Sequence, residues 1–142
     1  MAYGDVLQMK LEAPDEYSRL GTKLHASYKY ALENLEFEFL LKCDADTYLK
    51  PMPLTAWLLA NKCQTGYCGM LRVGETPARG ASWWHVSEAQ YGRPNFPPYI
   101  TGGAYTLGKA ELKRLLAHAD TVLPQIEDAS TGLWACLLYT SD

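Results

Sequence analysis

Two aspartates flank one alanine in the segment Lys42-Cys43-Asp44-Ala45-Asp46, and paired carboxylates can hold a divalent metal. In an extended backbone, residues i and i+2 point to the same side, so Asp44 and Asp46 can face one small volume. A bound Mg²⁺ or Mn²⁺ would relieve their repulsion and neutralise a diphosphate leaving group. A solvated turn explains the pair equally well. The apolar run before it, Phe37–Leu41, resembles a buried strand and favours a site.

Glu127-Asp128 is a second acidic pair, and it stands at a predicted helix start. A carboxylate there commonly caps the helix or interacts with its dipole, and on this pair alone that structural role is the more common one. The functional alternative is a general base, which removes a proton from a reacting hydroxyl and contributes about 10²–10⁴-fold to the rate. Asp128 is the candidate for this role.

A glycine pair and several aromatic side chains complete the set of candidates. Gly102 and Gly103 follow a diproline and permit a ligand to approach the backbone closely, although a tight turn would need them as well. Trp83, Trp84 and Tyr91 offer flat surfaces that suit sugar rings. Adjacent aromatic residues belong more often to a core or an interface, so these signals alone do not decide the function.

The elements that must position these residues follow from hydrophobic periodicity. Four helices are predicted, at Glu16–Asn34, Leu54–Ala60, Lys109–His118 and Glu127–Leu138. Strands are predicted at Val6–Met9, Phe37–Leu41, Tyr67–Val73 and Ala104–Leu107, with a long shaped loop over 74–103. Strands that alternate with helices indicate an α/β domain, in which ligands gather beyond the carboxyl ends of the strands. Asp44 and Asp46 fall at such an end.

Length and charge limit the class of protein. The 142 residues suit one domain, 1–142, and 48% hydrophobic with 20% charged residues indicates a globular chain. The formal charge is −3 and no basic cluster is present, so nucleic acid is not an expected partner. No apolar run approaches the roughly 20 residues needed to cross a bilayer, and no signal-peptide pattern is present. Cys63 and Cys68 could form a disulfide, and buried thiols are an equal alternative.

The order of these motifs resembles glycosyltransferase family 31, which includes β-1,3-galactosyltransferases, β-1,3-N-acetylglucosaminyltransferases and Fringe proteins. The similar segments run through nearly the whole chain: Tyr3–Gln8, Asp15–Lys23, Lys42–Asp46, Trp84–Ser87 with Tyr91, Pro97–Tyr105, and Glu127–Asp128 with Gly132. Three positions depart from the family pattern. Ala45 replaces the usual central aspartate, Ala104 stands where a third glycine is common, and Trp134 occupies a position where the family often has cysteine.

The resemblance implies a GT-A fold with a Rossmann-like sheet. It implies inverting transfer of a hexose or N-acetylhexosamine from a UDP-sugar to an acceptor hydroxyl on a glycan, glycoprotein or glycolipid, in β-1,3 linkage. It also implies a protein of the Golgi membrane, facing the lumen. The family's first nucleotide-binding strands and its membrane anchor have no counterpart in this sequence. We therefore expect a partial catalytic domain, incomplete at both ends, from a membrane-anchored parent.

The resemblance also assigns roles to the candidates. Asp128 would be the catalytic base, Asp46 would hold Mn²⁺ (or Mg²⁺) against the diphosphate, and Asp44 would contact the metal or the ribose. The remaining donor-binding candidates are Gly102, Gly103 and Trp84.

Two other functions compete with this one. A buried strand that ends in Asp44-x-Asp46 also resembles the nucleophile motif of haloacid-dehalogenase-type phosphatases, in which Asp44 would attack phosphorus. The second alternative is a domain that keeps the fold and binds a sugar or nucleotide without turnover.

Overall fold

A computed structural model describes residues 6–10, 16–117, 119 and 126–139. Its helices are α1 (Leu20–Asn34), α2 (Pro51–Ala60), α3 (Lys109–Ala117) and α4 (Glu127–Tyr139), with short 3-10 helices at Tyr17–Arg19 and Cys63–Thr65. Its strands are β1 (Phe39–Cys43), β2 (Tyr67–Arg72) and β3 (Tyr99–Gly108). The four predicted helices are confirmed, and the predicted helix end at His118 lies outside the described residues. No helix of the described ranges is long and apolar enough to cross a membrane.

The described strands form one sheet in the order β1-β3-β2, and β3 is antiparallel to both neighbours. β1 and β2 therefore run in the same direction, and their carboxyl ends lie at the same edge of the sheet. The pairings Cys43↔Ala104 and Arg72↔Tyr99 mark that edge. The mixed helix and strand content agrees with the α/β prediction, whereas a Rossmann-like parallel sheet is not seen among the described strands.

Three of the predicted strands need correction. β1 begins two residues later than expected and continues to Cys43, directly before Asp44. β3 begins at Tyr99 rather than Ala104, so Gly102 and Gly103 lie inside a central strand and not in a loop. Both glycines lie between the two stretches of β3 that pair with β2, where the register shifts between Gly69 and Leu71. Glycine is common at such irregularities of a strand, which explains its presence despite its low strand propensity. The strand predicted at Val6–Met9 is wrong, because residues 6–10 have no regular secondary structure.

The main core lies where α1, α3 and α4 pack together and against β3. Its fully buried side chains include Tyr28, Leu107, Leu112, Leu115 and Trp134. A chain of polar contacts crosses this core: the Tyr28 and Tyr105 hydroxyls are 2.5 Å apart, and the Tyr105 and Thr131 hydroxyls are 3.3 Å apart. The Thr131 hydroxyl then donates to the Glu127 carbonyl at 2.9 Å, so the first turn of α4 is tied to the core.

The segment between β2 and β3 is folded against the start of α4 and not extended into solvent. Its buried side chains Val86, Tyr91 and Phe96 pack with Ile126 and Ala129 of the α4 region. The Arg79 guanidinium organises the segment by donating to the carbonyls of Val86 and Tyr91, both at 2.7 Å, and of Arg93 at 3.1 Å.

A disulfide joins Cys63 to Cys68, which settles the alternative that the sequence left open. It connects the short helix before β2 to the strand itself. The same turn packs tightly on the end of β3, where a side chain on Gly108 would meet the Gln64 backbone at 2.0 Å. The disulfide therefore fixes the sheet end opposite to the edge marked by Cys43 and Arg72.

Candidate functional site

A pocket of about 590 Å³ lies at the edge where β1 and β2 end. The first half of β3 forms its floor, and the first turn of α4 forms one side. Fourteen residues line it: Asp44, Arg72, Glu75, Thr76, Ala78, Trp84, Phe96, Tyr99, Thr101, Gly102, Gly103, Ile126, Glu127 and Asp128. The fold thus brings five of the six predicted site residues into one cavity, although they are up to 84 positions apart in the sequence (44 to 128).

The predicted metal motif forms a β-turn. The Thr47 amide donates to the Asp44 carbonyl at 3.1 Å, so the extended backbone assumed for Asp44 and Asp46 is wrong. Two bonds fasten this turn to β3, because the Asp44 amide and the Thr47 hydroxyl both donate to the Gly103 carbonyl, at 3.1 and 3.0 Å. Asp44 lines the pocket, whereas Asp46 is exposed on the turn and lies outside the lining residues.

Asp128 lies in the first turn of α4 with its carboxylate directed toward β3. The Gly102 amide donates to its Oδ2 at 2.9 Å, and the Ala129 amide donates to its Oδ1 at 2.8 Å. Burial raises the pKa of the Asp128 carboxyl, and the neighbouring Glu127 charge raises it further, while the two amide donors oppose the shift. A half-buried carboxylate with a raised pKa, held at a pocket wall, is suited to accept a proton.

Lys42 is a residue of the site that the sequence reasoning did not identify. Its ammonium group donates to Asp44 Oδ1 at 2.6 Å, to Glu127 Oε1 at 2.7 Å and to the Gly102 carbonyl at 2.5 Å. The Lys42 and Glu127 side chains are only 12% and 13% exposed. The alternation of a strand could have shown this contact, because Lys42 and Asp44 are two residues apart and share one face.

The surroundings of Lys42 favour its positively charged form. Burial acts to lower the pKa of the Lys42 ammonium, but hydrogen bonds to Asp44 and Glu127 and their negative charges outweigh that effect and raise it. Lys42 therefore stays positively charged near neutral pH. Its positive charge partly offsets the negative charges of Asp44, Glu127 and Asp128 in the site.

The two predicted glycines have different environments. A Cβ on Gly102 would lie 2.7 Å from Glu127 Oε1 and 3.3 Å from Lys42 Nζ, so the close approach at this residue is made by α4 and by Lys42. A Cβ on Gly103 would meet no atom within 4 Å. Gly103 lines the pocket, so the open space beside it belongs to the cavity.

The predicted aromatic side chains also differ in their environments. Trp84 lines the pocket and is 57% exposed, which leaves its ring available to a ligand. Tyr91 is buried against Phe96 with ring centroids 5.1 Å apart, so its prediction as a sugar-facing surface is wrong. Trp83 is exposed outside the lining residues. The sequence could not separate these cases, since all three aromatic residues occur in the same segment.

Arg72 and Glu75 form the opposite wall, and the sequence reasoning did not single them out. Their side chains are half-exposed and 3.7 Å apart. Arg72 ends β2, two strands away from β1, and strands lie about 4.8 Å apart, so roughly 10 Å separates this wall from the Asp44 turn. The pocket therefore has an acidic side at β1 and a mixed polar side at β2, with Asp128 over the strand between them.

The acidic side could hold Mg²⁺ or Mn²⁺ together with a phosphate ligand. These ions keep several waters and usually take one or two carboxylates plus substrate phosphates, a set that an exposed turn carrying Asp44 and Asp46 can supply. In the described ranges, no group of three or more histidine, cysteine or acidic side chains is placed to enclose a metal. The donor set thus fits a metal that arrives with its substrate better than a metal enclosed by protein.

A sequence model of the galactosyltransferase family matches residues 1–140. Over 136 residues, the chain is 24% identical to hydroxyproline O-galactosyltransferase GALT2 of Arabidopsis thaliana and 26% identical to UDP-GalNAc:beta-1,3-N-acetylgalactosaminyltransferase 2 of Homo sapiens. Each match covers 93% of the chain, and 19% and 26% of those proteins respectively. It is 34% identical over 101 residues to UDP-GlcNAc:betaGal beta-1,3-N-acetylglucosaminyltransferase 9 of Bos taurus, covering 69% of the chain and 25% of that protein. The chain thus spans about a quarter or less of these relatives.

Proposed function

The chain belongs to the galactosyltransferase family, and from that premise we propose that it carries the catalytic centre of a UDP-sugar-dependent glycosyltransferase. The reaction we propose is inverting transfer of a hexose or N-acetylhexosamine to a glycan hydroxyl, with β-1,3 linkage as in the names of two of the relatives. Which sugar is transferred differs among those names. The observation that carries the proposal is the pocket that Asp44 and Asp128 share.

In the proposed single displacement, the acceptor oxygen attacks the anomeric carbon as its proton passes to the Asp128 carboxylate. The bond between the anomeric carbon and the phosphate oxygen breaks, and UDP leaves with the electron pair. The Gly102 and Ala129 amides hold Asp128 in place for this transfer. The raised pKa of Asp128 makes the carboxylate a stronger base than an ordinary aspartate.

The leaving group would lie at the acidic side, where Asp44 and Asp46 would hold Mn²⁺ or Mg²⁺. When bound, such an ion neutralises the negative charge that develops on the departing diphosphate. The acceptor would then lie on the side of Arg72 and Glu75, because attack occurs opposite to the leaving group. Trp84 and the open space beside Gly103 would shape the sugar-binding part of the pocket.

The phosphatase alternative is not favoured, since the family match is to galactosyltransferases. We further propose a lumenal Golgi location for the parent protein. The Cys63–Cys68 disulfide supports an oxidising compartment.

Calorimetry tests the donor site. UDP is titrated into the chain with and without Mn²⁺, and Asp44→Ala and Asp46→Ala are compared with a surface control, Glu33→Ala on α1. We expect binding that needs the metal, is lost in at least one aspartate variant and is unchanged in the control. If a folded chain does not bind UDP, the measurement is repeated on a longer natural form of the protein. Absence of metal-dependent binding in both forms contradicts the proposal.

Turnover tests the base. Asp128→Asn keeps the side-chain shape and removes the basic oxygen, so transfer should fall about 10²–10⁴-fold while UDP affinity stays nearly unchanged. A variant with near-normal turnover would remove Asp128 from this role. UDP binding by the wild type without transfer or hydrolysis of any UDP-hexose would instead identify a non-catalytic binding domain.

A further inference from the structure

Lysines near phosphate-binding motifs commonly contact the phosphates, and Lys42 lies near the end of β1, two residues before Asp44. The geometry of Lys42 contradicts that role. An ammonium group has three N–H donors, and Lys42 directs them to Asp44 Oδ1, the Gly102 carbonyl and Glu127 Oε1 at 2.5–2.7 Å. A phosphate could be bound only if one of these contacts broke.

The three acceptors of Lys42 belong to three different elements of the site. Asp44 follows β1, Gly102 lies in the central strand β3, and Glu127 opens α4. Gly102 also donates its amide to Asp128, so the residue whose carbonyl Lys42 holds is the one that positions the proposed base. The Lys42 ammonium also lies over the Tyr105 ring, with Nζ 5.8 Å from the ring centroid.

We propose that Lys42 is a positioning residue that sets the separation between the Asp44 turn and the Glu127–Asp128 pair, and that it does not bind the donor phosphates. The proposal rests on the proposed function and deepens it. Without the ammonium group, the Asp44 and Glu127 carboxylates, which it now bridges at 2.6 and 2.7 Å, would repel each other. The turn and the first turn of α4 would separate, and the base would lose its alignment with the bond that breaks.

The test compares Lys42→Met, Lys42→Arg and a matched control in the natural form of the protein that carries transfer activity. Lys109→Met is the control, because Lys109 donates to Glu36 at 2.9 Å and to the Leu35 carbonyl at 3.4 Å, near the far end of the sheet. The measurements are kcat, the KM for UDP-sugar, UDP affinity by calorimetry, and the thermal midpoint as a check of folding.

A positioning role predicts that Lys42→Met lowers kcat at least tenfold, while the donor KM and UDP affinity change less than about threefold. Lys42→Arg should recover part of kcat because it keeps the charge, although a planar guanidinium cannot reproduce three convergent contacts. The control should leave all four quantities close to wild type. The opposite split, with UDP affinity reduced tenfold or more and kcat preserved, would identify a phosphate ligand and overturn the proposal.

Lys42→Arg carries the test if Lys42→Met is poorly folded, and a double variant examines whether Lys42 acts through Glu127. Lys42→Met combined with Glu127→Gln removes one charge of each sign, so its loss in kcat should not exceed that of the more damaging single variant. Fully additive losses would show that Lys42 and Glu127 act independently and would refute the positioning role. Absence of both transfer and UDP binding in the wild type would refute the proposed function itself. Failure of the Lys42 proposal alone looks different, because the wild type would then still bind UDP and transfer sugar.

Discussion

Replacing Gly102 by alanine should damage the site while the neighbouring change, Gly103→Ala, leaves the fold intact. The new Cβ at position 102 would lie 2.7 Å from Glu127 Oε1, where an ordinary contact begins near 3.4 Å, so the carboxylate must retreat by about 0.7 Å. That movement lengthens the 2.7 Å ion pair between Glu127 and Lys42. The Cβ would also press on Lys42 Nζ at 3.3 Å and on Asp128 Oδ2 at 3.4 Å.

The expected cost of Gly102→Ala is about 1–3 kcal/mol of unfolding free energy, the usual range for overpacking. A misplacement near 1 Å in a catalytic group can lower turnover about 10²-fold, so the loss in kcat should be larger than the stability change suggests. Gly103→Ala meets no atom within 4 Å and should change stability by less than about 0.5 kcal/mol. Neither glycine has a positive φ, so backbone strain does not enter the comparison.

Chemical denaturation of both variants, with turnover measured in parallel, checks this prediction. The reasoning holds if Gly102→Ala is the less stable and the less active variant while Gly103→Ala keeps wild-type stability. Should the two variants unfold at the same denaturant concentration, the close approach of α4 to Gly102 would be wrong. A raised donor KM in Gly103→Ala at unchanged stability would in addition indicate that the sugar occupies the open space beside it.

Four further outcomes follow from the same structure. Because burial raises the pKa of Asp128, kcat/KM should fall as the pH drops through a value above the ordinary aspartate pKa of about 3.9, and Asp128→Asn should abolish that acid limb. Because the pKa of Asp128 is raised in the folded state, ionisation of this carboxyl slightly destabilises the fold. The free energy of unfolding should therefore decrease as the pH rises from the ordinary aspartate pKa through the raised one. Denaturation curves at a series of pH values, on wild type and Asp128→Asn, measure this decrease. Reduction of the Cys63–Cys68 disulfide should cost about 2 kcal/mol by the loop-entropy relation, read as a lower denaturation midpoint with reductant, and an unchanged midpoint would contradict it. Gly132→Ala would place a Cβ 2.3 Å from Tyr99 Cβ, so it should destabilise by about 3 kcal/mol or more, and soluble variant protein of normal stability would refute that packing.

The helices and the general position of the site could be predicted from the sequence, because apolar periodicity and acidic pairs are local signals. Strand β3 could not be delimited, since Pro97, Pro98 and the Gly102-Gly103 pair suggest a loop to any local rule. Its extent depends on pairing with β1 and β2, which are distant in the sequence. The antiparallel order likewise depends on tertiary contacts that no local pattern encodes.

The candidate site residues likewise differ in how far the sequence could identify them. Asp44 and Asp128 were singled out because each belongs to an acidic pair beside a strand end or a helix start, although each pair alone also has an ordinary structural explanation, and the fold brings both residues to one pocket. Lys42 was missed, because a single lysine in a strand usually faces solvent. Its role depends on the register that places Gly102 beside the end of β1 and on the approach of Glu127 from α4. Tyr91 was misjudged for the converse reason, since burial in a folded loop has no sequence pattern of its own.

The contacts from Tyr28 through Tyr105 and Thr131 to Glu127 have a consequence for local unfolding. They place the start of α4 in the same cooperative unit as the main core, so the Ser130 amide, which donates to the Ile126 carbonyl, should exchange with solvent only when that unit opens. The Asp44 turn is exposed and held to β3 by two hydrogen bonds, so its amides should exchange much earlier. The α4 side of the pocket is thus held by the main core, while the Asp44 turn can fluctuate, and the diphosphate that we propose as its ligand would have to order this turn on binding.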